Sequence, residues 1–121
     1  MRQRTILCID DDEHILTICK FIFEDLGYRV FVTTSGSAGL EVFRRDRVDG
    51  VVLDYHMPGM TGAEVAIEMK RLRPSVPIVL FSAISPLPDE IRPFISAFVE
   101  KGAHSEALTN TIDSLFDGLT E

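Results

Sequence analysis

Four short apolar runs in the chain each end on a charged or hydroxylated residue of a kind that handles phosphate and a divalent cation. Thr5-Ile6-Leu7-Cys8-Ile9 leads into Asp10-Asp11-Asp12, Gly50-Val51-Val52-Leu53 into Asp54, Pro77-Ile78-Val79-Leu80-Phe81 into Ser82, and Ala97-Phe98-Val99 into Glu100-Lys101. Apolar runs this short, separated by segments of helical period, read as buried strands of a parallel sheet. A further strand, Tyr28-Arg29-Val30-Phe31-Val32, is interrupted by a charge and belongs nearer an edge. In an open α/β sheet, ligands bind outside the carboxyl ends of the strands, so the polar residues at the run ends converge on one crevice.

The segments between the runs carry helical stripes. After Asp12, the residues Ile15, Ile18, Cys19, Ile22, Phe23 and Leu26 fall on one face, and Gly27 supplies the stop. A second helix is expected from about Ser37 to Arg45 with Leu40 and Phe43 in the core. Met57-Pro58-Gly59-Met60-Thr61-Gly62 is a loop by its proline and glycine content, and a third helix over about Ala63–Leu72 turns Val65, Ala66, Met69 and Leu72 inward. The last helix opens near Ser105 as N-cap, with Leu108, Ile112, Leu115, Phe116 and Leu119 as its stripe. Pro86, Pro88 and Pro93 crowd the stretch between Ser82 and Lys101. A proline inside a helix costs about 3 kcal/mol, so the fourth helix is expected to be a stub of about two turns opening at Pro88.

Strands and helices alternate without a repeat or a linker, which makes the 121 residues one α/β domain with its core over about 5–119. Cys8 and Cys19 lack metal-ligand or disulfide spacing and read as buried thiols, which fits a reducing cytoplasm. No stretch has the apolar length of a membrane span. Twelve basic against nineteen acidic residues give a net charge of -7, which disfavours nucleic acid as a partner.

Part of that acidity is local. Carboxylates from Asp10, Asp11 and Asp54 held close together repel one another, and a cation relieves the repulsion. Ligands that are all oxygen suit Mg²⁺, which prefers sites shared with a phosphate. One carboxylate can then attack a phosphoryl group while the metal, a lysine and a hydroxyl neutralise the transferred oxygens, roles that fit Asp54, Lys101 and Ser82.

Five elements in order, Ile9-Asp10-Asp11, Leu53-Asp54, Met57-Pro58-Gly59-Met60-Thr61-Gly62, Phe81-Ser82-Ala83 and Phe98-Val99-Glu100-Lys101, resemble the receiver domains of two-component response regulators. The resemblance implies a flavodoxin-like, doubly wound five-stranded parallel sheet in the order 2-1-3-4-5. It also implies that Asp54 accepts a phosphoryl group from a histidine kinase or a histidine phosphotransfer protein. Asp11, Asp54 and the backbone carbonyl of His56 would hold Mg²⁺, with Asp10 reaching the metal through water. Ser82 would be the switch hydroxyl, Lys101 its phosphoryl-pairing partner, and Phe98 the aromatic that reports the state. The side chain of His56 would border the phosphoryl group.

Departures from that pattern gather on one side. Gly102 stands where the family usually has proline in a cis peptide, and cis geometry costs a non-proline residue about 2.5–4 kcal/mol, so the loop after Lys101 is expected to run differently. Phe98 lacks the hydroxyl of the commoner tyrosine. The expected function is a phosphoacceptor that signals by conformational change to a separate protein effector and is no enzyme toward an external substrate. A pseudo-receiver that binds partners without phosphorylation is the alternative, although no acidic or lysine position is lost. An aspartyl phosphatase of the dehalogenase type needs a second aspartate two positions on, where this chain has His56. His14, Thr17 and Phe21 recur on the first helix opposite its core stripe, as a docking face for the histidine-bearing partner. Glu106, Asn110, Asp113 and Asp117 give the last helix an outer face without a basic residue, so a monomer is expected. Nothing resembling a linker or a DNA-reading helix follows that helix, which reads as a stand-alone regulator or an excised module.

Overall fold

The computed structural model describes residues 2–118, and Leu119, assigned above to the last helical stripe, lies outside them. β1 (Thr5–Ile9) is buried along its whole length and pairs in parallel with β2 (Arg29–Thr33) on one side and β3 (Gly50–Leu53) on the other. β4 (Ile78–Ser82) and β5 (Ala97–Glu100) continue the sheet, giving the order β2-β1-β3-β4-β5. The expected flavodoxin-like arrangement is therefore present, with the charged strand β2 at an edge.

Strand side chains alternate between faces, and each face has its own core. Leu7, Ile9, Val51, Leu53, Ile78 and Leu80 meet α2 (Gly36–Arg45) and α3 (Gly62–Leu72) on one side. Ile6, Cys8, Val52, Val79 and Val99 meet α1 (Glu13–Asp25) and α4 (Ser105–Asp117) on the other. Cys8 and Cys19 are free and buried, as expected.

Local signals set most boundaries. The Asp12 carboxylate accepts from the His14 backbone N–H and caps α1, and Gly27, at φ 95°, turns the chain out of it in the left-handed region. Ser35 caps α2, and Thr61 and Glu64 form a reciprocal capping box on α3. Ser105, expected as a cap, is instead the first helical residue of α4; His104 occupies the cap position without a side-chain bond.

Three further expectations need correction. On α1 the buried residues are Leu16, Cys19 and Phe23, whereas Ile18 and Leu26 are exposed, so the helix is rotated relative to the stripe inferred from periodicity. Between β4 and β5 no α-helix forms among the described residues. A single 3₁₀ turn, Arg92–Phe94, takes its place, with Pro93 in its first turn. Asp89-Glu90-Ile91 is a turn, and Pro88 does not open a helix. Asp113, assigned to the outer face of the last helix, instead accepts a hydrogen bond from the Tyr28 hydroxyl, with the Tyr28 ring packed between Phe23 and Phe116.

Candidate functional site

Three strand ends build the site. Asp10 follows β1, with its backbone N–H donating to the Thr33 carbonyl; Asp54 follows β3, with its N–H donating to the Ile9 carbonyl. Lys101 follows β5, and its N–H donates to the Ser82 carbonyl. The sheet's own hydrogen-bond pattern thus carries one residue past each strand end and fixes where the side chains start.

Carboxylate oxygens of Asp10, Asp11 and Asp54 lie within 4.8 Å of one another, with Asp10 and Asp54 buried and Asp11 exposed. The Lys101 Nζ is 2.8 Å from Asp10 Oδ2 and 3.4 Å from Asp54 Oδ1. Asp10 Oδ1 also accepts from the Asp12 N–H, and Asp54 Oδ1 from the Tyr55 N–H, each at 2.9 Å. Burial raises the Asp10 pKa; the Lys101 and Asp12 bonds oppose that rise, and the Asp54 charge adds to it. Burial alone would lower the Lys101 pKa, but the two carboxylates outweigh it and hold the ammonium above its ordinary value.

Three carboxylates face one ammonium, an excess of two negative charges on a donor set made of oxygen. That charge and those donors fit a hard divalent cation.

The loop after Asp54 is held against it. Gly62 N–H donates to the Tyr55 carbonyl at 2.7 Å, and a Cβ at Gly62 would lie 2.5 Å from the Asp54 carbonyl oxygen and 2.8 Å from Tyr55 Cα. Only glycine permits that approach, and Gly59, at φ 84°, makes the turn before it. His56 opens the loop with an exposed side chain whose ring stands edge-on to Tyr55. The Ser82 hydroxyl is buried at the end of β4 and accepts from the Ile84 N–H at 3.5 Å. Phe98 is half-buried and packs on the core face shared with α2 and α3. Ser85–Pro86 is the cis peptide among the described residues, so Lys101–Gly102 is trans.

Asp10, Asp11, Asp54 and Lys101 are thus brought together as the sequence reading expected. Tyr55 joins them without a sequence signal. Its ring is buried, its N–H binds the Asp54 carboxylate, and its hydroxyl donates to Glu90 at 2.5 Å. A contact across 35 residues, between two residue types common anywhere, leaves no local mark in a sequence.

The family model described as the response regulator receiver domain matches residues 6–113. Among curated proteins, the Escherichia coli (strain K12) transcriptional regulatory protein GlrR is 29% identical over 115 residues, which is 93% of this chain and 26% of that protein. The Staphylococcus aureus (strain USA300) response regulator SaeR is 37% identical over 78 residues, 64% of this chain and 34% of that protein. The chain thus spans about a quarter to a third of the length of these curated relatives. Among solved structures, a CheY-like receiver domain protein from Methanospirillum hungatei JF-1 superposes with a TM-score of 0.91 at 24% identity, covering 97% of this chain and 96% of that one. The response regulator TrrA from Thermotoga maritima, solved in complex with Mg(2+)-BeF, gives 0.88 at 28% identity, covering 93% and 99%. With the family model matching most of its length and the sheet order and acidic cluster in place, this chain belongs to the response regulator receiver domain family.

Proposed function

We propose that Asp54 is the phosphoacceptor of a two-component pathway, loaded by a histidine kinase or a histidine phosphotransfer protein in a Mg²⁺-dependent reaction. The observation that carries this reading is the placement of Asp54, buried, within reach of the Lys101 ammonium and beside the carboxylates of Asp10 and Asp11. Asp11, Asp54 and the His56 carbonyl would hold the cation, with Asp10 reaching it through water. When bound, Mg²⁺ supplies positive charge that offsets the carboxylates and the transferred oxygens. An Asp54 oxygen forms a bond to phosphorus as the phosphorus–nitrogen bond of the phosphohistidine breaks, and the freed imidazole takes a proton from solvent. Lys101 leaves its pairing with Asp10 for the phosphoryl oxygens, which carry more charge, and the Ser82 hydroxyl turns toward them. Water attack on phosphorus later breaks the bond to the Asp54 oxygen, releasing inorganic phosphate and returning Asp54 as a carboxylate. The chain accelerates its own loading and unloading and acts on no external substrate.

Signalling to a separate protein effector is the reading we attach to the face around α4, where Glu100, Glu106 and Asp117 are exposed and Arg92 is paired with Asp89. Like charges on two copies disfavour a dimer there, and sedimentation of the beryllofluoride-bound form is expected to show a monomer. TrrA in its Mg(2+)-BeF complex is the relative whose bound state supports the same chemistry here.

Intact mass after incubation with acetyl phosphate tests the reading. One phosphoryl adduct that requires Mg²⁺ is expected; no adduct at any Mg²⁺ concentration would favour a phosphorylation-independent binding module.

A further inference from the structure

Residues 83–96 join β4 to β5 without an α-helix. Its hydrogen bonds are mostly its own. Ile91 N–H donates to Pro88, Arg92 N–H to Asp89, Phe94 N–H to Ile91, and the Arg92 guanidinium to Asp89 and Leu87. Among the described residues, one hydrogen bond ties this stretch to the protein beyond its flanking strands, and it is the Tyr55 hydroxyl to Glu90. Ile91 is fully buried in the same core as Tyr55, and Ile84, Leu87, Phe94 and Ile95 pack against that core, so among the described residues the stretch rests on several apolar contacts and a single polar anchor.

Tyr55 is bonded at three points. Its N–H reaches Asp54 Oδ1, its carbonyl accepts from Gly62, and its hydroxyl holds Glu90. Asp54 Oδ1 accepts from both Tyr55 N–H and Lys101 Nζ. Converting a carboxylate to an acyl phosphate moves the negative charge onto the phosphoryl oxygens and weakens the carboxyl oxygens as acceptors, while the ammonium follows the charge to the phosphoryl group. The Tyr55 backbone is then held less firmly from one side, and its ring is the rigid arm that carries the change to Glu90. Phe98, the aromatic of β5, has no hydroxyl with which to do the same.

We propose that the Tyr55–Glu90 hydrogen bond is the tether through which the state of Asp54 sets the position and mobility of Ala83–Ile95. This rests on the reading of Asp54 as the phosphoacceptor. Tyr55 is a positioning residue in it, acting through the backbone of the acceptor loop.

Hydrogen exchange of the whole chain, with and without Mg²⁺ and beryllofluoride, tests the tether in wild type, Tyr55→Phe, Glu90→Ala and the double variant. Glu90 is exposed, so its truncation leaves the core intact. In wild type, exchange within 84–95 changes on loading. In either single variant it is about threefold to tenfold faster before loading and no longer responds, because the bond that restrained it is gone. The double variant matches the singles, as expected for two halves of one interaction. Intact mass after acetyl phosphate, run in parallel, separates the two claims. Absence of an adduct in wild type overturns both the acceptor and the tether. An adduct in all four proteins, together with a wild-type segment that does not respond or variants that respond as wild type does, overturns the tether alone.

Discussion

The Lys101 ammonium sits 2.8 Å from Asp10 and 3.4 Å from Asp54, so its closer partner is Asp10 rather than the proposed phosphoacceptor. Both carboxylates are buried, and Lys101 is the one basic side chain the described ion pairs give them. Removing it leaves two uncompensated charges. Lys101→Met is expected to destabilise the protein by about 2–3 kcal/mol at neutral pH, less than for a wholly buried pair because the lysine is partly exposed. Mg²⁺ should recover part of that loss. Urea unfolding with and without the cation measures both, and an unchanged midpoint would deny Lys101 its role in balancing the cluster.

Asp11 is the exposed member of the acidic trio. Asp11→Ala is expected to lower Mg²⁺ affinity by about tenfold or more and to raise metal-free stability slightly by removing a like charge. Calorimetric titration reads the first effect and thermal unfolding the second; an unchanged affinity would remove Asp11 from the ligand set.

The crevice was legible because each apolar run ends within one residue of its strand's end, and parallel strands bring those ends together. The phase of α1 was not. Ile15, Leu16, Ile18, Cys19, Ile22, Phe23 and Leu26 spread apolar character around more than one face, and the choice among faces is made by contact with the sheet residues Ile6 and Cys8. Three prolines announced an irregular fourth connection, but only the fold shows that Ile91 is its fully buried residue and its turn a 3₁₀ one. Asp113 faces outward on a helical wheel, whereas the Tyr28 hydroxyl, brought near by the α1–β2 turn, draws it in.

Far from the crevice, Asp49 accepts two bonds from the Arg2 guanidinium, at 2.5 and 2.9 Å, and one from the Thr5 N–H at 2.7 Å. Burial would raise its pKa, but these donors outweigh burial and hold it below the usual value. A depressed carboxylate pKa stabilises fully above the unfolded value of about 3.9 and loses that stabilisation as pH falls through the folded value. Asp49→Asn is therefore expected to cost about 1–2 kcal/mol at pH 7, discounted for the partly exposed arginine, and less at pH 3. Urea midpoints at the two pH values decide; a difference that grows toward pH 3 would reverse the sign.

Phe21 is 72% exposed on α1 and lies on the same side of that helix as His14 and Thr17, both also exposed. Phe21→Ala should change stability by no more than about 0.5 kcal/mol. It should slow phosphotransfer from the histidine-bearing partner by about tenfold while leaving labelling by acetyl phosphate unchanged. Equal transfer rates from the partner would take the docking face off α1.

Asp54→Asn keeps the size of the side chain and its acceptor for the Tyr55 N–H, and it removes the nucleophile. Intact mass of wild type and Asp54→Asn after the same treatment with acetyl phosphate and Mg²⁺ tests the acceptor most directly. The expected result is one phosphoryl adduct on wild type and none on the variant, with both proteins folded by circular dichroism. An equal adduct on the folded variant would contradict Asp54 as the acceptor.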